Sequence, residues 1–230
     1  GIMKKLVSLL TCDKSIWLYP NGFCLVDGAH SGHQQFCRYA DGDILSVKAL
    51  EFFQTDAADG ADVEVVIANE PPVVIPKELY HAEDAQKFVA LQFDIAKIAT
   101  TFACDREPYK LVYFLYQNEK NALDRLGFAK RFVSYWELIC RHLQLEKHAE
   151  QLLWVAEHEG FLDFYAEKKG NMMLITRFDY VTAEDELYHI ANVKQQCHLR
   201  DAEVRIVSEM HRSPLKNLAK KYLDNYLWFD

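Results

Sequence analysis

Several groups of side chains in this sequence have types and spacings that could do chemistry. His30-Ser31-Gly32-His33, with Cys37 close behind, offers neutral imidazoles and a thiol, the ligands zinc takes. The spacing closes no four-ligand set, and loop histidines are ordinarily just solvated, so no metal site is expected. Cys12-Asp13 would make a thiol nucleophile if a histidine approached it, but any chain with several cysteines and histidines allows that, and a strand-end thiol packed in the core explains it better. Arg212, Lys216 and Lys220 fall four apart, with Lys221 beside them, as one stripe of a helix. Such a stripe either docks an acidic partner or phosphate, or is a solvated face with cations near the helix C-terminus; the acidity of the chain favours the second. Glu184, Asp185 and Glu186 read as first-turn acids, and Tyr188 and His189 as helix packing. No G-x-S-x-G, dinucleotide loop, P-loop or H-E-x-x-H occurs, so no catalytic residue is assigned.

The elements that must position these residues alternate regularly. Leu6–Thr11, Ser15–Tyr19 and Phe23–Val26 predict a three-stranded meander, with Pro20-Asn21-Gly22 as one of its turns. A loop over Asp27–Asp43 leads to a helix carrying Leu45, Ala49, Leu50, Phe52 and Phe53 on one face. Asp59-Gly60 precedes a strand over Val63–Ala68, Pro71-Pro72 break it, and Val73–Ile75 resumes it. Helix is predicted from about Ala82 to Phe93, strand over Leu111–Tyr116, and helices around Lys120–Leu126 and Tyr135–Leu143.

The last third repeats the cycle. Leu152–Ala156, Phe161–Tyr165 and Met172–Phe178 form a second meander. Thr182, with Asp185 three residues on, caps a helix that runs to about His198. Val204–Val207, Pro214–Leu223 and Tyr226–Phe229 then read as strand, helix and strand. The pattern β-β-β-α-β-α-β occurs near the start and again near the end, which implies two related α/β lobes with mixed sheets covered by helices. Their expected extents are residues 1–110 and 111–230.

Composition limits the function classes. The chain has 230 residues, half of them hydrophobic, and a formal net charge of −8, so it is globular, and general affinity for nucleic acid or anionic lipid is not expected. Cys12, Cys24, Cys37, Cys104, Cys140 and Cys197 are scattered without a C-x-x-C pair and read as free thiols in a cytoplasmic protein. No apolar run is long enough to insert in a membrane, and the segment after Gly1 is too short for a signal peptide. Aromatics, at 13%, fill a core and can also anchor protein contacts.

The run Asn171-Met172-Met173-Leu174-Ile175-Thr176-Arg177-Phe178-Asp179-Tyr180, with Thr182, Glu184, Asp185, Leu187 and Tyr188, resembles a bacterial family of unknown function with an actin-like ATPase fold. Leu218, Lys221, Tyr222, Asn225 and Phe229 fit the same resemblance, as does Val74-Ile75-Pro76-Lys77-Glu78-Leu79-Tyr80 ahead of Glu83. The resemblance implies the duplicated ribonuclease H-like fold shared by sugar kinases, Hsp70 and actin. In that fold the first hairpin of each lobe cradles phosphates and a late Gly-Gly turn packs on adenosine, with glycines that admit bare backbone contact. Here those loops are placed at Thr11-Cys12-Asp13-Lys14-Ser15, at Glu157-His158-Glu159-Gly160 and at Ser208-Glu209. The first and third lack the glycines and the second brings two carboxylates toward a polyphosphate, so the nucleotide site reads as degenerate and no cofactor is expected. The resulting expectation is a non-catalytic scaffold, a pseudo-ATPase that binds a protein partner or peptide, with a homodimer left open. The competing reading is an ATP-binding or ATP-hydrolysing enzyme with atypical phosphate loops.

Overall fold

The chain opens with a helix, α1 (Ile2–Val7), where the apolar run Leu6–Leu10 predicts a strand. Its buried residues, Ile2 and Leu6, stand four apart, which is helical spacing. The meander therefore begins one strand later, as β1 (Lys14–Leu18), β2 (Gly22–Asp27) and β3 (His33–Arg38). β3 lies in a stretch that reads as loop, because this edge strand is exposed along almost its whole length and no apolar alternation marks it. The computed structural model describes residues 2–29, 33–53 and 62–230; His30-Ser31-Gly32 and Asp59-Gly60, singled out above, lie outside them. Residues 7–141 form one compact unit, and residues 142–230 with the N-terminal residues up to Leu6 form the other. The expected boundary at 110/111 falls inside a strand of the first unit.

The amino-terminal unit continues with α2 (Ile44–Phe53), β4 (Val63–Ile67), β5 (Val73–Pro76), α3 (Ala85–Ala90), β6 (Ile98–Arg106), β7 (Tyr109–Tyr116), α4 (Gln117–Asp124) and β8 (Lys130–Ser134). Its main sheet has the order β3-β2-β1-β4-β8, antiparallel through the meander and parallel from β1 to β8. Ile16, Leu18, Phe23, Leu25, Val65 and Ile67 pack under α2 and α4 through Leu45, Ala49, Phe53, Ala122 and Leu123. Each fully buried Val, Leu, Ile or Phe side chain among them contributes about 1.5–3 kcal/mol. A second sheet, β5-β7-β6, is inserted between β4 and α4 and has a small core of its own with α3. Gly22 opens β2 where β3 comes close: a Cβ there would lie 2.2 Å from the Cys37 carbonyl oxygen.

α5 (Tyr135–Leu145) contains the division between the units. The carboxy-terminal unit follows with β9 (Gln151–His158), β10 (Phe161–Lys168), β11 (Asn171–Asp179), α6 (Ala183–Gln196), β12 (Glu203–Ser208), α7 (Leu215–Tyr222) and β13 (Tyr226–Phe229). Its sheet has the order β11-β10-β9-β12-β13, with the same strand directions as the first. α6 starts at the Thr182 cap, whose hydroxyl accepts from Asp185 N at 3.2 Å. It buries Ile190 and Val193 against Leu153, Val155, Phe164 and Ile206. Two five-stranded sheets of one topology, each opened by a meander, are the duplicated ribonuclease H-like arrangement of the actin-like fold.

Candidate functional site

Ligands of open α/β sheets gather at the carboxyl ends of parallel strands, so each unit's site is built there. The registers align the two ends residue by residue. Leu18 pairs with Phe23, and its carbonyl accepts from Ala68 N at 2.8 Å. Glu157 pairs with Leu162, and its carbonyl accepts from Glu209 N at 3.0 Å. Leu18 and Glu157 therefore hold equivalent positions, and the equivalent hairpin turns are Tyr19–Gly22 and His158–Phe161.

This corrects the first loop expected from the sequence. Asp13, Lys14 and Ser15 stand where β1 begins, at the opposite end of the strand from its hairpin. The misplacement follows from reading Leu6–Thr11 as a strand when it is helix and turn. Ser15 is fully buried, and its hydroxyl accepts from the Trp17 indole at 2.9 Å. Asp13 is exposed, and its carbonyl accepts from Gly28 N at 2.6 Å. The neighbouring Thr11 and Cys12 close over Glu64, whose carboxylate accepts from both backbone N–H groups and the threonine hydroxyl at 2.8–3.0 Å.

In the carboxy-terminal unit, Glu157 and Ser208 come together. Glu157 is 1% exposed and turned inward, and its carboxylate accepts from Ser208 Oγ and from Ser213 Oγ, each at 2.6 Å. Glu186 of α6 is buried beside it. Burial and the adjacent Glu157 push the Glu186 carboxyl up to about 9, and its Oε1 has no hydrogen-bond partner. His158 stacks on Phe161 and lies 3.1 Å from Asp163. Asp163 is fully buried and receives Arg177 through Nε at 2.5 Å and through a second nitrogen at 3.2 Å. Burial alone would raise the Asp163 carboxyl, but the charges of Arg177 and His158 hold it below the usual carboxylate range. Glu159, Gly160 and Glu209 are exposed. Of the carboxylates read in these loops, Glu157 therefore faces the interior and the other two reach the surface.

The amino-terminal unit presents a different arrangement at the same end. A cavity of about 540 Å³ lies over the ends of β1 and β4. Asn69 follows β4, and its Nδ2 donates to Phe114 O at 3.1 Å and to Glu119 Oε1 at 2.7 Å. Glu119 also accepts from Tyr116 N at 2.8 Å, closing the first turn of α4. Burial pushes its carboxyl up to about 7 despite those two hydrogen bonds. The Tyr116 hydroxyl donates to Glu70 at 2.9 Å. The sequence reading did not single out these residues. The available signal was Asn69-Glu70, a polar pair directly after a buried apolar strand and before Pro71-Pro72.

A family model described as protein of unknown function, DUF3822, matches residues 54–226. The chain belongs to this family. No curated protein matches the sequence. Among solved structures, a Bacteroides thetaiotaomicron protein with actin-like ATPase fold and unknown function aligns with TM-score 0.71 at 16% identity, covering 94% of this chain and 90% of its own. A chain of the PilM-PilN type IV pilus biogenesis complex aligns with TM-score 0.57 at 10% identity, covering 94% and 88%. The family, the actin-like fold and the strand orders agree.

Among the described residues, which do not include His30, the remaining candidates do not come together. His33 stacks on Phe52 with ring centroids 4.7 Å apart, and burial raises the Cys37 thiol. Among the described residues no group of three or more His, Cys, Asp or Glu side chains could hold a metal, and no helix is long and apolar enough to cross a membrane. Lys216 bonds Asp230 at 3.1 Å and lies over the Trp228 ring, so the basic stripe is partly neutralised.

Proposed function

We infer that this chain is a non-catalytic, partner-binding protein of the actin-like fold whose nucleotide loops are degenerate. The observation that carries this reading is the inward turn of Glu157, which engages Ser208 and Ser213 at the end of its own sheet. Groups that a phosphate would need as donors are thereby committed to a carboxylate. The equivalent turn supports the same reading: Tyr19 N is used by Gly22 O at 2.9 Å, and Pro20 has no N–H to offer. Glu70 and Glu119 at that end would also repel a polyphosphate.

A chain of a pilus biogenesis complex shares the fold, and by analogy the partner is a protein or peptide. The reading includes a cytoplasmic location and association without nucleic acid, as the net charge of −8 favours. A homodimer is a second form such a scaffold could take.

A thermal melt of the full chain with ATP and Mg²⁺ tests the reading, because a ligand that binds only the folded form raises Tm by mass action. An unchanged Tm at millimolar ATP is expected; a rise of several degrees would overturn it.

A further inference from the structure

The cavity at the ends of β1 and β4, about 540 Å³, exceeds what a bare ion needs and suits a small organic group. Glu119 decides its chemistry. It is 6% exposed, yet both hydrogen bonds to its carboxylate, from Asn69 and from Tyr116 N, fall on Oε1. Oε2 makes no hydrogen bond to any described residue, and it is not sealed away as Glu186 Oε1 is. Glu119 lines this cavity. Glu70 stands in the same wall, held by the Tyr116 hydroxyl. Among the described residues no Lys, Arg or His nitrogen lies within 4.0 Å of either carboxylate. Tyr19, Tyr39 and Tyr116 add aromatic walls, and ring faces attract cations.

We propose that this cavity binds an organic cation, a primary ammonium or a guanidinium, with Glu119 Oε2 as its main acceptor and Glu70 as the second. A largely buried carboxylate to which no cation bonds directly is costly to ionise, and a cationic guest offsets that cost, although Lys97 shares the cavity wall. A hard metal ion would need about six oxygen ligands, and no metal-holding group of three or more His, Cys, Asp or Glu side chains occurs among the described residues. The cation comes either as a free amine or on a basic side chain of a peptide. The inference does not depend on the partner-binding role.

Isothermal titration of the full chain with agmatine tests the free source, and titration with acetyl-Gly-Arg-Gly-amide tests the peptide-borne one. Saturable binding of either supports the proposal, and the tighter arm identifies the source. Glu119→Gln keeps the shape and the Oε1 acceptor but loses the charge, so it is expected to weaken binding about tenfold or more. Glu70→Gln weakens it less and serves as the second variant should Glu119→Gln lower the melting temperature. Binding that neither substitution weakens, no binding of either probe, or Mg²⁺ binding at these residues without either cation would each overturn the proposal.

Discussion

One position of one topology carries Leu18 in the amino-terminal unit and Glu157 in the carboxy-terminal unit, and the surroundings diverge accordingly. Leu18 is fully buried in an apolar core, and the acid of that unit sits on α4 instead, as Glu119, beside an open cavity. Glu157 draws Ser208 and Ser213 onto itself and presses against Glu186. The hairpins differ in the same sense. The registers place Cys24 and Phe36 opposite each other in one unit, where Asp163 and Arg177 face each other in the other. The carboxy-terminal end satisfies Glu157 with two serine hydroxyls and seals its unpartnered oxygen, Glu186 Oε1, in the interior, whereas the amino-terminal end leaves Glu119 Oε2 without a hydrogen bond and unsealed. A duplicated fold thus fixes backbone positions while leaving the chemistry of each copy free.

Substitutions can break that contrast, beginning with the largest expected effect. Asp163→Asn leaves Arg177 buried without its counter-charge, and a loss of about 3–5 kcal/mol in urea unfolding is expected. Because the Asp163 carboxyl is held low, its contribution is present above the ordinary carboxylate pKa and disappears as pH falls through the lowered value. Glu157→Leu copies the other unit and strands two serine hydroxyls, with an expected cost of about 2–3 kcal/mol by the same measurement.

Alkaline pH probes Glu186. Its carboxyl is raised to about 9, so the folded chain binds a proton that the unfolded chain has released above its ordinary value. Stability therefore falls as pH rises, until the folded carboxyl also ionises near 9. Glu186→Gln is expected to flatten Tm against pH across that window. Asp13→Ala has the smallest effect, within about 0.5 kcal/mol, because the exposed side chain lies at the start of β1, away from the carboxyl ends of both sheets. A larger loss would restore a role for the first loop as the sequence suggested it.

The repeated architecture was readable because its central strands are continuous apolar runs: Val63–Ile67 and the β9–β11 meander fall close to where the sequence places them. The Thr182 cap was readable for a local reason, its Asp185 partner three residues on. β3 and β8 were not, since exposed edge strands such as His33–Arg38 and Lys130–Ser134 carry no alternating pattern. A short apolar run such as Leu6–Leu10 fits helix and strand alike, and that ambiguity moved the first hairpin to the wrong end of β1. Of the site, Glu157 and Ser208 were found but their inward orientation was not. Glu119 was missed altogether: beyond its local bond to the cap residue Tyr116, its environment depends on Asn69, which lies fifty residues earlier in the sequence.

The absence of a side chain at Gly22 reaches further than its own turn. Because β3 runs against that bare backbone, Tyr39 is delivered to Asn21, whose carbonyl accepts from its N–H at 3.2 Å. Tyr39 is also part of the wall beside Glu119. A single methyl group at position 22 would wedge the two strands apart and swing that ring, so the bore of the cavity is gauged from a residue that never touches what enters it.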